Sequence, residues 1–272
     1  GSQGEWPSHP ELLDWLAVEF RESGWDVKHM VNLIVISATY RQSANRRREL
    51  LESDPQNRLL ASQNPRRLEA EFVRDNALFA AGLIDLEVGG PSAKPYQPAG
   101  YYAQIQFPDR HYFADQGDEQ YRRGLYTHWQ RTFLHPMMAN FDAPSREEST
   151  CTRNVANTPQ QALTLLNDPT FTEAARVLAA RILSSADQTD DQRLNELFAR
   201  LVNRAPTAKE QRSLMDFITA RRAYFSANAE DAKKLTTVGN APPAANIDPA
   251  ELAAWTSVCR VAMNLHETIT RF

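Results

Sequence analysis

The sequence predicts an all-α fold, an irregular helical bundle interrupted by a long, aromatic-rich loop belt. Three observations lead there. Apolar residues recur at helical offsets in most segments outside residues 89–160. Ser, Thr, Asn or Asp followed by proline, or by an acid three residues on, opens one segment after another. Glycine and proline punctuate the middle of the chain, where neither period holds.

The elements follow in order. Ser8 and Glu11 have the spacing of a capping box, and Pro10 falls in the first turn, where its missing N–H costs nothing. Leu12, Trp15, Leu16 and Phe20 then share one helical face, expected inward, until Gly24. Asp26 is placed to cap "VKHMVNLIVISATY", whose β-branched centre also suits a strand; Met30, Asn32 and Leu33 favour helix. Asn64 and Pro65 predict the start of "RRLEAEFVRDNALFAAGLIDL", with Leu68, Phe72, Phe79 and Leu83 inward. "VGGPSAKPYQPAG" stops it.

Within the belt, "RRGLYTHWQRTF" favours a short helix over a strand. Regular structure returns at Thr158-Pro159 and at Asp168-Pro169, the latter leading to Phe171, Ala175, Leu178 and Ile182 on one face. Asp190 or Asp191 is expected to start "QRLNELFARLVN", and Thr207 with Glu210 forms a capping box for the next helix. "TTVGNAPPAANID" reads as a flexible surface connection. Asp248-Pro249 opens a last helix, with Leu252, Trp255, Cys259 and Ala262 inward. The expectation is one domain over 1–272: helices to about 88, belt to about 157, then helices to about 267.

Bulk properties exclude several function classes. The chain has 272 residues, 42% of them hydrophobic and 24% charged, so it is globular rather than disordered. A net charge of −4 argues against nucleic acid, because a binder normally carries a basic excess. The run "RQSANRRREL" is a local exception that reads as a solvated face. No apolar run approaches the ~18 residues of a membrane span, and the first residues lack the regions of a signal peptide. Cys151 and Cys259 offer no metal-ligand or haem-attachment spacing; one disulfide between them stays open.

Chemistry, if any, concentrates in the belt. Six of the chain's eight tyrosines lie between 96 and 141, together with Phe107, Phe113, Trp129, Phe133 and Phe141. Such rings either anchor an irregular segment to the helices or present a surface for sugars and flat ligands. His111, His128 and His135 lie near Asp109, Asp115, Asp118 and Glu119, but no spacing is diagnostic, so neither metal nor cofactor is expected. No G-x-S-x-G or H-E-x-x-H occurs, and no glycine-rich phosphate loop.

The stretch "FDAPSREESTCTRNVANTPQ" (141–160) is unusually polar. One reading is a bracket, in which Asp142, Arg146, Arg153, Asn154, Asn157 and Thr158 supply hydrogen bonds that irregular backbone lacks. Asp142 and Arg146 would pair if the turn were helical. The other reading is an anion or sugar site built on Arg146 and Arg153. The residues favoured for ligand binding are Tyr126, Trp129 and Arg131, then Asp142 and Arg146. An enzyme reading would instead use Asp142, Glu147 or His128 for acid–base work, with Glu148, Ser145 and Ser149 as further candidates.

Several blocks together carry a family resemblance: "GSQGEWPSHPELLDWLAVEF", "LIVISATYRQS", "NPRRLEAEFVRD", "GGPSAKPYQPAG", "YRRGLYTHWQRT", "FDAPSREESTCTRNVANTPQQALTLLNDPTF" and "AAWTSVCRVAMNLHE". The chain resembles, from Gly1 to about Glu267, the planctomycete C-terminal domain of unknown function that closes large exported proteins. "STCTRNVANT" is less basic than that block usually is, and the ending "HETITRF" also departs from the family pattern. The resemblance implies an exported protein, in the periplasm or at the cell surface, whose upstream domains are often cytochrome-c-like. It also implies an association with polysaccharide breakdown. No catalytic residue comes with it. On this reading the chain is an excised, non-enzymatic C-terminal module that binds a glycan or a partner domain through the aromatic belt, or else a structural cap on its own upstream domain.

Overall fold

The computed structural model describes residues 4–104, 111–130, 133–185 and 187–271. The described residues are mostly helical, with eleven α-helices and a single pair of two-residue strands, Arg66–Arg67 and Thr270–Arg271. The all-α expectation holds. By compactness the chain divides into two units, one formed by the residues up to Arg66 with Arg271, the other by Arg67–Thr270.

The first unit contains α1 (Pro10–Glu22), α2 (Val27–Ile36) and α3 (Arg48–Ser53). Asp26 caps α2 as expected, its carboxylate accepting the His29 amide at 3.0 Å. The Ser8–Glu11 capping box does not form: His9 occupies the N-cap without a side-chain bond, and the Ser8 hydroxyl turns to the His9 ring. A His29–Glu19 contact of 2.7 Å and an edge-on Phe20–Trp25 pair hold α2 to α1. Beyond α3, Asp54 receives the amides of Arg58 and Leu59, both at 2.8 Å. The Leu59 amide is the main cause that holds the Asp54 carboxyl below its usual range. None of the three helices contains a buried residue. Leu12 and Trp15, expected inward, are about half exposed.

The second unit is built around α7 (Pro169–Leu183) and α11 (Pro249–Met263), which pack along each other. Both helices are rich in buried small residues: Ala174, Ala175 and Ala179 on α7, Ala253, Ala254 and Ala262 on α11. Small side chains let helix axes approach to the short end of the ~8–10 Å range. Phe171, Leu178 and Ile182 continue the α7 face, and Trp255 and Cys259 the α11 face, as their spacing predicts. Around this pair stand α4 (Ala70–Ala81), α6 (Pro159–Asn167), α8 (Asp190–Val202), α9 (Ala208–Ala227) and α10 (Ala229–Thr236). The caps at Asp168, Thr207–Glu210 and Asp248 form as expected. Helix α8 starts at Asp190, one of the two expected positions, with Thr189 and Gln192 making a full capping box and Asp190 pairing with Arg222.

Two further expectations need correction. Helix α4 begins at Ala70, not after Asn64-Pro65, since Arg66–Arg67 is extended and the Leu68 amide bonds to Ile269 O at 2.7 Å. Its inward face is also different: Ala70, Val73, Ala77, Leu78 and Ala81 are buried, whereas Phe72 and Phe79 are exposed. Arg74 lies on the buried face, fully covered. The second correction concerns the 236–248 connection, which is held rather than flexible. The guanidinium of Arg176 on α7 donates to the carbonyls of Val238, Ala241 and Pro242 at 2.6–3.2 Å.

Candidate functional site

Two features are candidates: the belt on the second unit, and an apolar groove on the first. The belt is irregular, with three short 3-10 turns, and a five-residue α5 (Pro136–Asn140) is its one α-helix among the described residues. "RRGLYTHWQRTF" forms only a 3-10 turn at Gly124–Tyr126 in its described part, rather than the expected helix. Isolated bridges Asp85–Arg122 and Ala93–Thr127 give it short ladders.

Side chains from the helices fasten it. Arg74 donates to the carbonyls of Gln120 (2.6 Å) and Arg122. Burial lowers its pKa to about 10, which is still well above neutrality, so it remains a cation. Asp75 receives the Gly124 amide at 2.5 Å and the Arg123 side chain at 3.2 Å. Glu173 of α7, fully buried, accepts from Tyr121 Oη (2.8 Å), Tyr96 Oη (2.9 Å) and the Ala241 amide (2.6 Å). Burial first, then Glu173, raises Tyr96 to about 12 and raises Tyr121 as well, so both phenols stay protonated donors. His135 is buried, its Nε2–H donating to Tyr96 O at 2.9 Å. Burial pushes its pKa down to about 4, and nearby Arg74 pushes the same way.

The rings of the belt mostly turn inward. Tyr102, Tyr121 and Phe141 are buried, and Tyr102 meets Tyr112 and Phe133 edge-on. Phe113 is the well-exposed ring among those described. This is the anchoring arrangement; the described rings form no exposed parallel row.

The described residues among those favoured for ligand binding are engaged in contacts within the chain. The Tyr126 hydroxyl accepts the Gly89 amide at 2.9 Å, and its ring lies under Arg122, 4.3 Å from the guanidinium. Trp129 donates Nε1–H to Ser145 O at 2.9 Å, and Arg146 stacks over its ring at 3.8 Å. Arg131, Phe107 and Asp109 lie outside the described residues. Asp142 is left-handed (φ 59°) and binds Arg67 at 2.5 Å and the Ala156 amide at 2.8 Å, not Arg146 in a helical turn. Trp129 and Arg146 are thus brought together, while Asp142 is engaged elsewhere.

Arg153 pairs with Glu71 at 2.6 Å and Glu69 at 3.3 Å, and its pKa is raised chiefly by Glu71. Its charge is therefore already matched, which removes one of the two cations of the anion-site reading. Of the acid–base candidates, Glu147 is exposed, and His128 Nδ1 lies 3.4 Å from the Ser92 hydroxyl. Among the described residues no group of three or more His, Cys, Asp or Glu is arranged to hold a metal ion. Both cysteines are free, Cys151 exposed and Cys259 buried.

The groove has no counterpart among the sequence expectations. It lies within the first unit and encloses about 720 Å³. Leu12, Trp15 and Leu16 of α1, with Leu33 and Ile34 of α2, supply two walls. Tyr40 and the 57–66 passage, with Leu59 and Leu60, supply the rest. Its charged lining comes from Arg66 and Arg271, with His9 nearby, and includes no carboxylate among the described residues. The signal was present in the α1 periodicity, but that face was expected to be covered by the chain's own core.

No described helix is long and apolar enough to cross a membrane. No curated protein and no solved structure matches the chain. A family model does match, over residues 1–218, and with four-fifths of the sequence inside it the chain belongs to PSD1, a family described as proteins of unknown function (DUF1553).

Proposed function

We propose that the chain is a non-enzymatic accessory module that docks on another domain of its own polypeptide through the apolar face of its first unit. One observation carries this reading. Fifteen large hydrophobic residues are exposed on the first unit, against ten on the much longer second unit, among the described residues. They include Trp6, Leu13, Trp25, Val27 and Ile36, and of the groove residues Leu12, Trp15, Ile34, Tyr40, Leu59 and Leu60. Six of the exposed residues gather around one groove, and apolar surface grouped in this way marks an interaction face. The glycan reading has less support, since the belt's described rings are mostly inward and Arg146 covers a face of Trp129. The enzyme reading has less still, because one carboxylate oxygen of Asp142 is engaged by both Arg67 and the Ala156 amide. Export to the periplasm or cell surface, and a cytochrome-c-like partner domain, rest on the sequence resemblance alone.

The test is co-expression of residues 1–272 with the upstream part of the same polypeptide as a separate, tagged chain. The two are expected to co-purify, and Leu16→Asp with Ile34→Asp to abolish this while the second unit keeps its unfolding midpoint. Failure to co-purify, or equal recovery with the double variant, overturns docking through this face. A glycan-array screen of the same protein, with Trp129→Ala as control, decides the alternative: binding lost in that variant would replace docking by sugar recognition.

A further inference from the structure

The groove also carries information about its occupant, on the reading that the first unit docks. Its apolar walls demand apolar side chains. Among the described residues its charged lining is cationic, with Arg271 reaching over the Tyr40 ring, 5.9 Å from the centroid, and its Nη1 3.5 Å from the Tyr40 hydroxyl. The first unit as a whole carries as many acids as bases, so this sign is local to the groove. A carboxylate on the occupant is complemented there, and a lysine is repelled.

The walls bear on backbone geometry. Two of them are helices, and a helix has no free backbone edge to offer an extended peptide. An incoming helix satisfies its own amides, so it lies on apolar walls without stranding them. It would also bury faces of α1 and α2 that the unit itself leaves uncovered.

The geometry points to an amphipathic helix of a partner domain, its apolar face in the groove and a carboxylate at the edge beside Arg271. This is a partner class, an acidic amphipathic helix, rather than a small ligand or a second copy of the chain.

The test uses the whole 272-residue chain and two synthetic helical peptides of about eighteen residues, or five turns. Both carry the same leucine face; one has glutamates and the other lysines along its edge. Calorimetric titration is expected to show the glutamate peptide binding about tenfold more tightly, the scale of exchanging a rim attraction for a rim repulsion. Arg271→Glu should reverse the preference, Arg271→Lys keep it, and Leu16→Asp remove binding of both. Equal affinities, or a preference indifferent to Arg271→Glu, overturn the acidic partner while leaving docking intact. Binding of neither peptide, with co-purification of the upstream part still sensitive to Leu16→Asp, overturns the helical occupant alone. A concentration-dependent dimer in sedimentation, dissociated by Leu16→Asp, would assign the groove to a second copy and overturn the proposal.

Discussion

Glu173 and Arg176 sit one turn apart on α7, each about 1% exposed, with their charged atoms 3.9 Å apart. Neither is satisfied mainly by the other. Glu173 gathers two belt tyrosines and the Ala241 amide, and Arg176 gathers three carbonyls of the same 238–242 passage. One turn of helix thus holds two distant irregular segments, and each charge compensates the burial of the other.

Glu173→Gln is therefore expected to cost about 3 kcal/mol, because it leaves Arg176 buried without a counter-charge and turns a donor toward Tyr96. Glu173→Gln with Arg176→Met should cost less than the sum of the single changes, as coupled groups do. Urea unfolding midpoints of the four chains check this. A loss under about 1 kcal/mol for Glu173→Gln, or strict additivity, would contradict the arrangement.

The His135 ring gives a pH dependence of definite sign. Its folded pKa is depressed to about 4 by burial, against 6.5 unfolded. Between those values the unfolded chain binds the extra proton, so stability rises with pH through this window and falls as pH drops from about 6.5 to about 4. A shift of this size corresponds to about 3 kcal/mol. The wild type should lose that much more than His135→Gln between pH 7 and pH 4, measured by urea midpoints at each pH. Parallel losses in both chains would show that His135 titrates normally.

Asp142 is expected to act on stability. Its side chain bridges Arg67 and the Ala156 amide from a left-handed backbone that Asn also tolerates. Asp142→Asn should then cost about 1–2 kcal/mol, and Asp142→Leu more, since it adds strain to the lost bonds. Differential scanning calorimetry reads the order. If Asp142→Leu equals the wild type in stability, the bracket is not held by this residue.

The helices around α7 and α11 were legible because their apolar residues repeat at helical offsets and Asx-Pro or Thr capping marks their starts. Helix α4 was misread because its buried face is made of alanines, Val73, Leu78 and a charged Arg74, while Phe72 and Phe79 face out. Hydrophobic periodicity cannot express an arginine whose partners are carbonyls some forty-eight residues away, such as that of Arg122. The polar character of 141–160 did announce a bracket, but Arg67 and Glu71, the partners of Asp142 and Arg153, are long-range and carry no local signal. The groove was invisible for another reason: a helical face reads the same whether its cover is in the chain or outside it.

Gly124 marks a close approach of belt to helix. A Cβ there would lie 2.8 Å from both the Cα and the carbonyl oxygen of Glu71, which are backbone atoms of α4 and cannot turn away. Gly124→Ala should cost about 1–3 kcal/mol through forced separation of the two segments. Gly100→Ala is a useful contrast: nothing lies within 4 Å of its Cβ position, and φ is 75°, so only backbone strain opposes the change. Chemical unfolding of both variants should show the larger loss at Gly124, and the reverse order would mean that the belt does not touch α4 there.

The two thiols supply the last check, on the core itself. Cys151 is exposed, whereas Cys259 is covered on all sides by the α11 packing, and burial pushes its thiol pKa well above the usual value. Thiolate is the reactive form, so Cys259 is protected twice, by access and by protonation. In native buffer a disulfide-exchange dye should titrate one thiol within minutes and the second only in denaturant. Cys151→Ser should abolish the fast phase and leave the slow one. Two fast thiols would mean that α11 is not packed as described, and none in denaturant without reductant would mean that Cys151 and Cys259 are joined.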